Sequence, residues 1–175
     1  MCASRHTNSL VQEGDIVAGT RAIPLVLKRE NVERAAAIAK ACGRLLVVKP
    51  LKRAQVGLVI TGNEVFNRLI ENRFETILRR KIEQIGSVVM GVRFAPDNPD
   101  VISSEIHHLI AAGADFILTT GGMSVDPDDV TRRGILQAGG TCECYGAPVL
   151  PGAMLMTAEI RNIPIIGIPA CGIFH

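Results

Sequence analysis

Between Val56 and Ile168 the chain alternates apolar runs with helix-length stretches, and this alternation limits its fold more than any other feature. The runs Val56–Ile60, Ser87–Phe94 and Phe116–Thr119 are separated by the helix-like segments Glu71–Ile85 and Pro99–Ala112. Strand, helix, strand, helix, strand is the pattern of crossovers joining parallel strands, and such crossovers are right-handed almost without exception. A helix-like stretch Asp128–Gln137 follows. Segments 140–145 and 153–157, punctuated by Gly146-Ala147-Pro148 and Pro151-Gly152, read as an antiparallel excursion before Ile163–Ile168 returns as a last core strand. A parallel strand of that kind normally leads into a covering helix. The chain ends six residues after Pro169, which suggests a fragment of a longer product or a covering helix supplied otherwise.

Composition agrees with an α/β class. Hydrophobic residues make up 47% of the 175 residues and charged residues 21%, the balance of a folding chain rather than a disordered one. Aromatics are only 3%, so the core must come from Ile, Val, Leu and Ala, the usual filling of covered parallel sheets. The net charge of +2 is scattered, and with few aromatics to stack on bases the reading is no nucleic-acid partner. No apolar stretch approaches the roughly 18 residues that span a bilayer, and Met1–His6 lacks a signal-peptide core. A cytoplasmic protein with no membrane partner is expected. Five cysteines at irregular spacings give neither a disulfide framework nor a zinc pattern. Cys142 and Cys144, two apart in an extended segment, should share a face.

Ahead of the alternation, residues 11–27 read as short strands with tight turns, residues 31–42 as an Ala-rich helix stopped by Gly43, and Leu45–Val48 as another strand. After the polar connection Lys49-Pro50-Leu51-Lys52-Arg53, the boundary is placed near residue 54. This gives a β-rich accessory segment with one helix over 1–53 and the main domain over 54–175.

In open α/β sheets ligands bind beyond the carboxyl ends of the strands. Three unusual segments fall there: Thr61-Gly62-Asn63-Glu64-Val65, Pro96-Asp97-Asn98, and Thr119-Thr120-Gly121-Gly122-Met123-Ser124. Gly121-Gly122 removes two β-carbons where the backbone turns, so amides can approach an anionic oxygen closely, with Ser124 and the following helix N-terminus in support. The pair reads equally as a tight strand-to-helix turn. The hydroxyls of Thr119, Thr120 and Ser124 tip the balance, as donors that a bare turn would not need. Glu64, Asp97 and Asp129 lie at or beyond different strand ends and could together hold Mg²⁺ or position water. Singly, Asp97 and Asp128 fit as helix caps, Glu64 as a solvated loop residue and Asp129 as a first-turn acid. His107 and His108 are adjacent on a helix, point apart and form no ligand pair.

The ordered set Thr61-Gly62-Asn63-Glu64-Val65, Asp97-Asn98-Pro99, Thr119 through Val125 with Asp129, Pro151-Gly152 and Gly167-Ile168-Pro169 resembles the molybdopterin-binding domain of molybdenum cofactor biosynthesis proteins. The likeness covers residues 54–175, and Gly14–Val48 is similar to the β-rich segment preceding this domain in molybdopterin molybdenumtransferases. The resemblance implies a three-layer, doubly wound, mostly parallel α/β fold, usually a dimer or trimer. It implies a pterin phosphate on the Gly-Gly turn, with Thr61, Gly62, Thr119, Thr120, Gly121, Gly122, Ser124, Pro151 and Gly152 as binding residues. In the transferase branch, adenylylated molybdopterin and molybdate react with Mg²⁺, and the acids of that chemistry match Glu64, Asp97 and Asp129.

This chain also departs from the pattern. Pro-Gly-Lys-Pro becomes Pro151-Gly152-Ala153-Met154, Leu-Pro-Gly-Asn-Pro becomes Ile168-Pro169-Ala170-Cys171-Gly172, and Asp126 replaces a turn glycine. One lost charge-assisted contact is worth about 1.5–3 kcal/mol, so binding is the firmer expectation and transferase activity the weaker one. Two further readings follow: a non-catalytic pterin-binding or sensory module, and a nucleotide-recycling pyrophosphatase resembling competence-damage-inducible proteins.

Overall fold

A computed structural model describes residues 2–21, 23–44, 46–67, 73–123 and 130–173. The chain divides into two compact units, Met1–Lys49 and Pro50–His175, within the Lys49–Arg53 connection. In the first unit β1 (Cys2–Ser4) pairs antiparallel with β2 (Ala18–Thr20), and α1 (Arg29–Ala41) follows. Where a strand is expected at 45–48, Leu46–Val48 is irregular and exposed. A β-prone run needs a partner edge, and among the described residues none is paired with it.

The second unit is built on one mixed sheet of β3 (Gln55–Thr61), β4 (Val88–Ala95), β5 (Phe116–Thr120), β6 (Thr141–Tyr145), β7 (Met156–Ile160) and β8 (Ile163–Ile168), in the order β4-β3-β5-β8-β7-β6. β3, β4, β5 and β8 run parallel, while β7 is antiparallel to β8 and β6 to β7. The helices are the short α2 (Asn63–Phe66), then α3 (Phe74–Gln84), α4 (Pro99–Ala111) and α5 (Thr131–Gln137), with a single 3-10 turn at Ala170–Gly172. No described helix is long and apolar enough to cross a membrane.

The path from β3 to β4 steps outward on the sheet, and the path from β4 to β5 steps back across β3. Right-handed crossovers in opposite directions must lie on opposite faces, and the cores agree. Leu58 and Leu118 pack with Leu78 and Ile82 of α3, whereas Val59 and Ile117 pack with Ile102 and Ile106 of α4 and Ile135 of α5. Alternate residues of β3 and β5 therefore enter different cores. That is why these strands read as continuous apolar runs, and it gives the three-layer, doubly wound α/β fold.

Asn98 caps α4, its side-chain oxygen accepting from the N–H groups of Asp100 at 2.9 Å and Val101 at 3.3 Å, with Pro99 in the first turn. Asp97, one candidate for that capping role, is used elsewhere. β7 turns into β8 through Arg161-Asn162, both at positive φ, 51° and 67°. On the edge strand β6 a bulge falls between Cys142 and Cys144, so the face-sharing expected from simple alternation is lost: Cys142 packs against the core and Cys144 is exposed. His107 and His108 lie exposed on α4.

Where α4 and α5 meet, a β-carbon on Gly134 would lie 2.6 Å from Cγ2 of the fully buried Ile102 and 3.2 Å from the Pro99 carbonyl oxygen. Alanine would gain about 1 kcal/mol of helix propensity, but overpacking a rigid contact costs about 1–3 kcal/mol. Gly134→Ala is expected to destabilise the chain by about 1–2 kcal/mol, read as a lower urea midpoint at unchanged slope.

Candidate functional site

In a doubly wound sheet the crevice opens between neighbouring strands whose outgoing connections leave on opposite faces. β3 and β5 are such a pair, since β3 leads toward α3 on one face and β5 toward α5 on the other. Their carboxyl ends carry Thr61-Gly62 and Gly121-Gly122, and β4 on the outer side of β3 ends beside Asp97.

The buried hydroxyl of Thr61 joins these ends. Its oxygen lies 3.1 Å from the Thr120 carbonyl and 2.8 Å from the Thr131 hydroxyl, and Thr131 donates to the Gly121 carbonyl at 2.9 Å. Two hydroxyl protons thus serve three oxygen contacts. With Thr131 donating to Gly121, the Thr61 proton goes either to Thr120 or to Thr131. The fully buried Thr131 ties the first residue of α5 to the turn preceding it.

Glycine is required at both turn positions. Gly121 has φ 92°, and a β-carbon there would fall 2.2 Å from the Thr61 carbonyl oxygen; Gly122 has φ 51°, and one there would fall 2.7 Å from Thr131 Oγ1 and 3.6 Å from Asp97 Oδ1. The N–H groups of Gly121, Gly122 and Met123 donate no hydrogen bond to another described residue. Successive turn amides without a backbone partner are the kind of donors that can surround an anionic oxygen.

Asp97 and Asn63 hold each other reciprocally. Asn63 N–H donates to Asp97 Oδ2 at 3.0 Å, and Asp97 N–H donates to Asn63 Oδ1 at 3.1 Å. Gly62 N–H adds a bond to the Ala95 carbonyl at 3.1 Å. The ends of β3 and β4 are clasped by these three bonds, and Asp97 Oδ1 remains without a partner among the described residues.

The structure thus brings Thr61, Gly62, Asp97, Gly121 and Gly122 together. Glu64 is exposed on α2 with no hydrogen bond to another described residue, and among the described residues no three acids, histidines or cysteines form a metal-holding group. Ser124, Asp126, Asp128 and Asp129 lie outside the described residues. Thr119 and Thr120, neighbours on β5, face opposite sides of the sheet, both are buried, and neither hydroxyl has a hydrogen-bond partner among the described residues. Thr119 Oγ1 would be 3.3 Å from a β-carbon on Gly167, which places it between strands. Pro151-Gly152 lies one step along the sheet: a β-carbon on Gly172, in the turn after β8, would sit 3.4 Å from the Gly152 Cα.

Asn63 and Thr131 are additional to the residues expected from sequence. Asn63 lies inside the strand-end motif, where its amide could have been noticed. Thr131 had only the weaker signal of a hydroxyl residue in a helix first turn.

The fold and this turn define an open α/β domain with a glycine turn at its switch point. Residues 57–172, 116 of the chain's 175, match the family described as "Probable molybdopterin binding domain", and the chain belongs to that family. A CinA-like protein of Mycobacterium sp. (strain MCS) is 30% identical over 78 residues, 45% of this chain and 18% of its own length. Among solved structures, CinA from Thermoplasma acidophilum superposes with a TM-score of 0.60 at 15% identity, covering 67% of this chain and 88% of that one. MoaB from Thermus thermophilus, described as a molybdopterin biosynthesis enzyme, gives a TM-score of 0.57 at 18% identity, covering 66% and 80%. The chain spans 35% and 18% of the first two curated relatives it matches.

Thr131→Val keeps the side-chain shape but removes the donor to the partly buried Gly121 carbonyl, a change worth about 1–3 kcal/mol. Urea unfolding should show a loss in that range, and Thr131→Ser, which restores the hydroxyl, should recover most of it.

Proposed function

We propose that this chain binds molybdopterin in molybdenum cofactor biosynthesis, with the pterin's phosphate on the Gly121-Gly122 turn. The observation that carries the reading is the glycine turn at the β3/β5 switch point, whose Gly121, Gly122 and Met123 amides have no acceptor among the described residues and whose carbonyls are engaged by Thr61 and Thr131. Family membership supplies the ligand class, and the turn supplies a physical means of holding its anionic end.

In the version of this reading related to molybdate insertion into adenylylated molybdopterin, Glu64, Asp97 and Asp129 are the acids and Mg²⁺ is the ion. Mg²⁺ commonly takes one or two carboxylates together with substrate phosphate oxygens. The free Oδ1 of Asp97 beside the turn fits that use, and the ion would neutralise charge on the phosphate. Asp97 would then anchor it, with Glu64 and Asp129 as its companions. Binding is the part of the reading that the turn itself supports. The missing motif lysine at Ala153 weighs against full transferase activity.

A second reading, nucleotide recycling, is favoured by the similarity to CinA-like proteins. Release of products from ADP-ribose or pyridine nucleotides by the purified chain would support it over cofactor assembly.

Under the first reading, purified chain retains molybdopterin in equilibrium dialysis, and Gly121→Ala lowers its affinity at least about tenfold, equivalent to about 1.4 kcal/mol. Absence of molybdopterin affinity in the unsubstituted chain, with and without Mg²⁺, would overturn it.

A further inference from the structure

The turn whose three amides have no acceptor among the described residues also has a carboxylate beside it. Asp97 Oδ1 lies 3.6 Å from where a β-carbon on Gly122 would sit, which places the carboxylate beside the second glycine of the turn. Its other oxygen is engaged by Asn63 N–H at 3.0 Å, and the Asp97 amide is engaged by Asn63 Oδ1 at 3.1 Å, so the carboxylate is held at its backbone and at its head. No ion pair is present on Asp97 among the described residues. Beside an anion site and without a bridging cation, such a group acts in one of two ways. It repels a fully ionised oxyanion, whereas it accepts a hydrogen bond from an oxyanion that still carries a proton.

We infer that Asp97, positioned by Asn63, makes the glycine turn selective for a protonated, singly charged phosphate group over fully ionised oxyanions. The inference rests on the proposal that this turn receives the ligand's phosphate. In the bound state the amides donate to the ionised phosphate oxygens while the phosphate hydroxyl donates to Asp97 Oδ1. A phosphate monoester loses its second proton near pH 6, so its singly charged form dominates below that pH and is scarce at pH 8. Sulfate has no proton to offer at either pH, and for it the carboxylate remains a like charge. Asn63 serves this geometry without adding charge: its amide oxygen accepts from the Asp97 backbone, where a carboxylate would place a second negative group against the first.

The test uses the full chain labelled with ¹⁵N, the amide shifts of Gly121, Gly122 and Met123 as the readout, and glycerol phosphate and inorganic sulfate as probes, with chelator or with Mg²⁺. With chelator, glycerol phosphate should bind at least about tenfold tighter at pH 5.5 than at pH 8, following its singly charged fraction. At pH 5.5 it should bind at least about tenfold tighter than sulfate. Asp97→Asn keeps an oxygen that can accept from Asn63 N–H but removes the charge, and it should bring the two anions to within about twofold of each other and flatten the pH dependence. Asn63→Ala should give intermediate selectivity with the carboxylate still present. Equal affinities for the two anions in the unsubstituted chain, unchanged selectivity in Asp97→Asn, or no anion response at these amides would overturn the inference. So would binding that appears only with Mg²⁺ and disappears in Asp97→Asn, because the carboxylate would then act through the metal. Molybdopterin retention by dialysis is read separately, so selectivity can fail while the pterin reading stands, and loss of both would mark failure of that reading.

Discussion

Both faces of β3 and β5 are buried, and the placement of the site follows from that. A strand covered on both sides cannot be reached laterally by a ligand, so only its ends are accessible. Leu58 and Leu118 belong to the α3 core and Val59 and Ile117 to the α4 and α5 core, which requires crossovers on opposite faces. The chain therefore leaves β3 and β5 toward opposite faces, the arrangement at whose strand ends ligands bind in open α/β sheets. Thr61 and Gly121 stand at that point because β3 ends at Thr61 and β5 ends just before Gly121.

Polar interactions then decide how rigid the crevice is. Hydrophobic packing holds the strands but has no directional means of orienting the amides of a glycine turn. The Thr61 and Thr131 hydroxyls do this by engaging the carbonyls of Thr120 and Gly121. A net hydrogen bond contributes only about 0.5–1.5 kcal/mol, but an abandoned buried carbonyl costs about 1–3 kcal/mol, so the network mainly penalises other turn geometries. The unpaired hydroxyls of Thr119 and Thr120 show the other side of this accounting. Their positions in β5 place them on opposite faces, and one surface ligand cannot satisfy both.

Much of the architecture was legible in the sequence because burial leaves a periodic trace. The parallel strands and the helices α3, α4 and α5 announced themselves through apolar runs of strand length and helical spacing. Features set by tertiary partners were not legible. Leu46-Val47-Val48 has strand-forming side chains without a strand to join, and the β7–β8 turn is made by Arg161-Asn162 although arginine carries no preference for positive φ. At the site, Gly121-Gly122 and Asp97 could be read from their places at strand ends. The partnership of Asn63 with Asp97 could not, because those residues are 34 positions apart. Thr131 was hidden for the same reason, since its role exists only once α5 is folded back against the end of β3.

The electrostatic character of the site bears on binding and catalysis differently. Its visible donors are neutral amides, which suit an oxyanion but add no full positive charge to offset charge developing on a ligand. The lysine that the family resemblance implies where this chain has Ala153 would be such a charge, and Asp97 contributes the opposite sign. Recognition tolerates this arrangement if the ligand brings a proton or a cation of its own. Phosphoryl chemistry tolerates it less, because charge on the phosphate oxygens must be stabilised in the transition state, and a preorganised electrostatic environment is usually the largest part of that stabilisation. The same carboxylate can therefore sharpen the choice of ligand while leaving group transfer dependent on a cation from outside the described residues.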